Sequence, residues 1–487
     1  MFEAIEGLKP ERVWEIFYEL TRIPRPSKSE EAVANHLTKV AKAAGHDARR
    51  DAAGNVVIRA KATKGREGAP VVALQAHLDM VCEKNADVKF DFTRDAIRLV
   101  RDGDWMKAQG TTLGADNGMG VAAAMAAILS PEVAHGPLEV LLTIDEETGL
   151  TGAMKLEPDL VTARILLNLD SEETDIVYIG CAGGAGVDIK LPLTRVDAPS
   201  GDAGARLAVK GLRGGHSGSE IHENRGNAVK LLAGTLKALA DLGARVADIE
   251  GGDKHNAIPR EAHAHLSVPE ASWDDAVKTV ANRWESAKRA HPEETHLSIA
   301  IERAPEPNGV FAPEVQAAAA GMLLALPNGV AAMSREVAGL VETSNNLASV
   351  HTHGDHLSAH CAPRSSIGAA MDAINEQIIA CAQLAGADAA VSGAYPGWPP
   401  NAHSKILELA EAVHEELFAV KPERKAIHAG LECGIIGEKF DGMDMISIGP
   451  DIRNPHSPDE CVHLASVEKF WKFLVAILDR VSGGSYS

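Results

Sequence analysis

The sequence predicts a three-layer α/β domain with a mostly parallel sheet, interrupted by an inserted α+β domain. Three observations carry this. Short apolar runs alternate with helical patterns in the first part of the chain, the arrangement that builds a parallel sheet covered by helices. A glycine cluster, Cys181-Ala-Gly-Gly-Ala-Gly, then marks a hinge, after which helices mix with more polar strands. The α/β alternation returns after Tyr395-Pro-Gly-Trp-Pro-Pro. The expected division is residues 1–186 and 395–487 for the discontinuous α/β domain and 187–394 for the insertion.

The elements follow in order. A first helix starts at Pro10, a residue tolerated in a first turn, with Val13, Ile16, Phe17 and Leu20 on one face. A second follows Ser27 and Ser29, with Ala32, Val33, Leu37, Val40 and Ala41 inward. Residues 56–60 and 71–76 read as strands, 118–129 as an alanine-rich helix, and 138–144 and 165–169 as strands. Beyond the insertion come a helix at 405–419, a strand at 445–448 and a closing helix at 465–481. No internal repeat is visible.

Length and charge narrow the function. The 487 residues exceed one ordinary core, since domains usually run to ~100–200 residues. Against 48 Lys+Arg stand 68 Asp+Glu, a net charge of −20, which argues against nucleic acid and anionic membranes as partners. Cys82, Cys181, Cys361, Cys381, Cys433 and Cys461 are scattered without a CxxC pair, so neither a zinc ribbon nor a disulfide framework is expected. The N-terminal stretch lacks the basic start and apolar core of a signal peptide, and no run of ~18 apolar residues exists. The expected location is the cytoplasm.

The chemistry lies at the strand ends. Apolar runs lead into His77-Leu-Asp79, Asp145-Glu146-Glu147 and Asp170; another leads through a loop to His456, and Asp116 sits in a loop just before a helix. In an open parallel sheet the carboxyl ends of the strands converge on the ligand crevice. Adjacent buried carboxylates repel unless a cation joins them. Imidazoles and carboxylates without thiolate suit zinc, cobalt or manganese. The donors exceed the three that one catalytic zinc takes and match a pair of divalent ions sharing a carboxylate. Which of Glu146 and Glu147 is a ligand stays open at this level.

The motifs QAHLDMV, TTLGADNGMG, TIDEETG, NLDSEE and HSPDE resemble, in order and across essentially the whole chain, those of the M20 metallopeptidases, in their aminoacyl-histidine dipeptidase branch. The resemblance implies two divalent metal ions, zinc first and cobalt or manganese otherwise, with His77 and Asp170 on one, Glu147 and His456 on the other and Asp116 between. It implies Glu146 as general base and Asp79 as the brace of His77. It makes the insertion a lid and dimerisation domain, the chain a homodimer, and the substrates unblocked dipeptides, Xaa-His such as carnosine among them. A tripeptidase or N-acyl amino-acid deacylase is the alternative; a non-catalytic binding protein fits least, because every ligand and the base are present.

In the lid, Gly214-Gly-His216-Ser-Gly resembles the motif whose histidine stabilises the oxyanion, His255-Asn256 the segment whose asparagine contacts substrate, and Arg364 the arginine that grips the substrate carboxylate. His428-Ala-Gly-Leu-Glu432 resembles an active-site loop without an assigned role. The cluster His351, His353, His356 and His360 reads as a hairpin of exposed histidines turning at Gly354-Asp355, not as a metal site.

Overall fold

The structure, a computed structural model, describes residues 3–486. The chain divides into two compact units. One comprises the residues up to Gly180, Pro400–Ala426 and those from Leu431 on; the other comprises Cys181–Pro399 and Ile427–Gly430.

The first unit is built on an eight-stranded sheet. Its centre is parallel: Leu138–Thr143, Val72–His77, Ile165–Asn168 and Asp444–Ser447 lie side by side in that order. Antiparallel strands flank this centre, Val56–Ala60 and Asp47–Arg50 on one side and Ile176–Cys181 on the other. Every residue of the Val72–His77, Leu138–Thr143 and Ile165–Asn168 strands is buried, as expected of strands covered on both faces. Helix Glu11–Leu20 turns Val13, Trp14, Ile16, Phe17 and Leu20 into the core, each worth ~1.5–3 kcal/mol of burial. Helix Ala115–Leu129 is buried nearly all round; its alanines and glycines let it pack closely. Ser404 caps helix Lys405–Phe418 by accepting from the Leu407 amide. The short antiparallel strands Ile452–Arg453 and Cys461–His463 bracket the loop that carries His456.

The second unit carries a nine-stranded sheet, and here the structure shows a repeat that the sequence hides. Strand Asp202–Lys210, helix Ala228–Ala240, strands Arg245–Gly251 and Ala262–Pro269, helix Trp273–Ala290 and strand Ser298–Arg303 form one βαββαβ half. Strand Gly183–Pro192, helix Pro313–Ala325, strands Val341–Thr352 and His356–Ser365, helix Gly368–Leu384 and strand Asp388–Tyr395 form the other. The halves meet where Arg245–Gly251 pairs antiparallel with Val341–Thr352, so the strand order reads symmetrically outward from that seam. Alternating burial and helix faces can recur with unrelated residues, so the repeat lies in the fold and is not visible in the sequence.

The histidine hairpin turns where expected, with His353 donating its amide to the His356 carbonyl. Its histidines are less free than expected. Only His353 is exposed; His351 pairs with Glu250, His356 with Asp355 and His360 with Asp188. Among the described residues, no helix is long and apolar enough to cross a membrane.

Candidate metal centre

Three adjacent parallel strands end in chemistry. The Val72–His77 strand delivers His77, Leu138–Thr143 runs on into Asp145-Glu146-Glu147, and Ile165–Asn168 leads to Asp170. Asp116 stands at the start of the buried helix with non-helical angles (φ −79°, ψ 111°), and its peptide bond to Asn117 is cis. Asp145 (φ 49°) and His456 (φ 60°) occupy the left-handed region, uncommon for residues with a side chain and frequent at functional sites.

These segments bring two half-sites together around one carboxylate. His77 Nε2 lies 3.0 Å from Asp116 Oδ1 and 3.3 Å from Asp170 Oδ1. His456 Nε2 lies 3.1 Å from Asp116 Oδ2 and 3.0 Å from Glu147 Oε2. Asp116 thus offers one oxygen to each imidazole. His77, Asp79, Asp116, Glu147 and Asp170 are largely buried, whereas the His456 side chain is 52% exposed and forms the open side. The second oxygen of Glu147, Oε1, is buried without a hydrogen-bond partner.

Charge in this group is unbalanced towards the negative. Burial works against ionised Asp116, but the two histidines outweigh it and hold its pKa far down. Burial pushes Asp170 up to about 6 and, beside Asp116 and Asp170, Glu172 up to about 8. Glu146 is raised well above the carboxylate range by burial first, then by the charges of Asp170, Glu147 and Glu432. His456 is pushed up to about 11 by its hydrogen bonds to Asp116 and Glu147. Without another cation the imidazoles must supply the positive charge. The donor set fits divalent ions: imidazole nitrogens and carboxylate oxygens converge in two groups that share Asp116. His77, Asp116 and Glu147 each offer an atom within 4.8 Å of the others.

A buried frame holds these groups. Asp79 accepts the Glu146 amide at 3.0 Å, the Glu147 amide at 3.2 Å and the Ser27 hydroxyl at 2.8 Å, and lies 3.4 Å from His77 Nδ1. Burial opposes its ionisation; His77, Ser27 and the Glu146 amide prevail and hold it at about 2. Glu30 accepts the Asp145 amide at 2.9 Å behind the same turn. Arg25 donates to the carbonyls of Leu78 (3.0 Å), Asp79 (2.8 Å) and Gly114 (2.5 Å). Glu460 accepts four successive amides, Leu113 to Asp116, at 2.7–3.2 Å. Beneath the strand ends Gln75 and Thr143 both donate to Glu432 at 2.6 Å. Of these, Gln75 and Thr143 open the QAHLDMV and TIDEETG motifs and Glu460 closes HSPDE, whereas Arg25 and Glu30 lie outside every motif.

The second unit carries the other sequence candidates. His216 Nδ1 accepts from the amides of Gly218 (3.2 Å) and Ser219 (3.1 Å), so in the neutral ring the proton sits on Nε2, free to donate. Burial and then the charge of Arg364 lower its pKa. The Asn256 carbonyl accepts the Ser217 amide at 2.8 Å, tying its loop to that of His216; its side chain is exposed. Arg364 is half-buried and donates to the Tyr395 hydroxyl at 3.4 Å.

Known proteins resemble this chain over nearly its whole length. The profile of Peptidase family M20/M25/M40 matches residues 73–480. The chain is 42% identical over 480 residues to the cytosol non-specific dipeptidase of Escherichia coli (strain K12), covering 98% of this chain and 99% of that protein. The crystal structure of aminoacylhistidine dipeptidase from Vibrio alginolyticus superposes with a TM-score of 0.92 at 43% identity, over 98% of this chain and 97% of that one. Aminopeptidase PepT from Bacillus cereus shares the fold at a TM-score of 0.57 and 18% identity, over 97% and 99% of the two chains.

Proposed function

The chain belongs to Peptidase family M20/M25/M40, and on that footing we propose that it is a cytoplasmic metal-dependent dipeptidase that hydrolyses unblocked dipeptides, Xaa-His such as carnosine included. One observation carries the metal part: Asp116 presents one oxygen to each of two imidazoles, His77 and His456. The substrate class is supported by the names of the E. coli and Vibrio relatives, one a non-specific dipeptidase, the other an aminoacylhistidine dipeptidase. The location is supported by the E. coli name.

In this reading His77, Asp116 and Asp170 would hold one divalent ion and Asp116, Glu147 and His456 the other, zinc first and cobalt or manganese otherwise. Such ions, when bound, supply Lewis acidity that activates water and draws charge from the scissile carbonyl. Glu146 takes the proton of the attacking water and passes it to the leaving amine nitrogen. Glu146 stands next to Glu147 on the turn that Asp79 pins, which places its carboxylate beside the two half-sites. Asp79 keeps His77 oriented and pins the amides on which Glu146 and Glu147 stand. His216, through Nε2–H, serves the developing oxyanion, Asn256 the peptide backbone and Arg364 the terminal carboxylate.

The test is hydrolysis of carnosine, an α-aminoacyl-histidine, Ala-Ala, a tripeptide and an N-acetyl amino acid, with and without chelator. Chelator-sensitive cleavage confined to the dipeptides is expected. Cleavage of the tripeptide or the acetylated compound instead overturns the substrate assignment and favours the tripeptidase or deacylase alternative.

A further inference from the structure

In the sequence Tyr395 is only the first residue of a proline-rich boundary; the fold gives it a more specific place. Four neighbouring strands of the second unit set Ser344, Arg364, Gly184 and Tyr395 opposite one another in a row. Direct cross-strand partners share a sheet face. Further along two of these strands Val187 and Ile189, and Cys361 and Ala359, at odd spacings from Gly184 and Arg364, belong to the apolar core, so the row lies on the opposite face.

The third position of the row is glycine for a steric reason. A Cβ on Gly184 would lie 2.6 Å from the Tyr395 hydroxyl oxygen and 2.8 Å from Cζ. The phenol lies over this gap, and its oxygen accepts from Arg364 Nη1 at 3.4 Å. A Cβ on Gly430 would lie 2.9 Å from Tyr395 Cε2. The ring is seated between two backbones that carry no side chain. On the other flank of Arg364, the His428 ring is bonded through Nε2 to the Ser344 hydroxyl at 2.7 Å. His428 is buried and held neutral, its pKa lowered to about 3 by burial and then by Arg364.

Arg364 therefore sits among neutral groups. Among the described residues it has no ion pair; Nε is buried without a hydrogen-bond partner, and neither Nε nor Nη2 has a protein acceptor. A guanidinium offers two parallel donors along its Nε–Nη2 edge, the geometry that fits a carboxylate in two places. Tyr395 occupies Nη1 and leaves that edge for a ligand.

We propose that Tyr395 is a positioning residue for substrate selection: by holding Nη1 it fixes the Arg364 fork so that the Nε–Nη2 edge meets the free carboxylate of the dipeptide and discriminates against peptides that lack it. This rests on the reading that Arg364 receives that carboxylate.

The experiment compares kcat and KM of wild type, Tyr395→Phe, Gly184→Ala and Arg364→Ala on one dipeptide and on its C-terminal amide. Tyr395→Phe removes only the hydroxyl; the expected result is a KM about tenfold higher for the free dipeptide, kcat unchanged, and a KM for the amide within about twofold of wild type. Gly184→Ala displaces the ring while Arg364 itself is retained and is expected to give the same split. A merely structural Tyr395 would move both substrates alike, and that result, or no change with either variant, overturns the proposal. The parent reading fails separately: if Arg364→Ala leaves the ratio between free and amidated dipeptide unchanged, the carboxylate role of Arg364 falls and the Tyr395 role with it. Loss of that ratio in Arg364→Ala, with Tyr395→Phe and Gly184→Ala unchanged, refutes Tyr395 alone.

Discussion

Glu460→Gln is the most informative single change in the frame around Asp116. Oε2 of Glu460 accepts the amides of Leu113 (2.7 Å) and Gly114 (2.9 Å), and Oε1 accepts those of Ala115 (2.7 Å) and Asp116 (3.2 Å). Four donors need two acceptor oxygens. Glutamine has one, and its NH2 faces the other pair of amides donor to donor. A buried N–H left without an acceptor costs about 1–3 kcal/mol, so two cost about 2–6 kcal/mol. Against a total stability of roughly 5–15 kcal/mol this is a large share. The loss falls on the loop that presents Asp116, so zinc affinity is expected to drop with it. Urea unfolding of the metal-free protein, paired with zinc competition against a chromophoric chelator, reads both quantities. A variant with the wild-type midpoint and wild-type zinc affinity would refute the idea that Glu460 sets the Asp116 loop.

Further predictions concern the base, the brace and pH. Glu146→Gln is expected to keep its metals and lose about 10²–10⁴ in kcat, read by metal analysis and steady-state rates on the same preparation. Asp79→Asn turns an acceptor of two amides into a mixed group and loosens His77; zinc affinity should fall about 10–100-fold by chelator competition, and unchanged affinity would remove Asp79 as the brace. His428 stays neutral in the folded protein down to about 3, against an ordinary 6.5 when unfolded. Between those values the unfolded chain binds the extra proton, so stability falls as pH drops from about 6.5 towards 3. His428→Asn should flatten that slope in urea titrations across this range; an identical slope would mean that His428 does not carry it.

The parallel core was legible because it obeys one rule: strands covered on both faces are continuous apolar runs, and those ending at His77, before Asp145 and before Asp170 are buried at every position. The candidate ligands were legible because buried carboxylates gathered at successive strand ends repel one another unless a cation lies among them. The frame was not. Arg25 and Glu30 act on backbone carbonyls and amides, and even for Glu460, which closes a motif, no residue type announces which amides a distant carboxylate will meet. Arg25 lies between two prolines and Glu30 just ahead of a helix, and neither belongs to a motif. The duplicated halves of the second unit were hidden because burial pattern, not residue identity, is what repeats. The row through Gly184 needed cross-strand register, a property of pairing that one strand does not encode.

The measurement closest to the central claim is a zinc titration of metal-free protein, followed by calorimetry and by hydrolysis of an Xaa-His dipeptide, for wild type and Asp116→Asn. Two ions bound per chain, full activity only when both are present, and impairment of both sites in Asp116→Asn are the predicted results. A single ion sufficient for full activity, or two intact sites in Asp116→Asn, would contradict the shared-carboxylate centre.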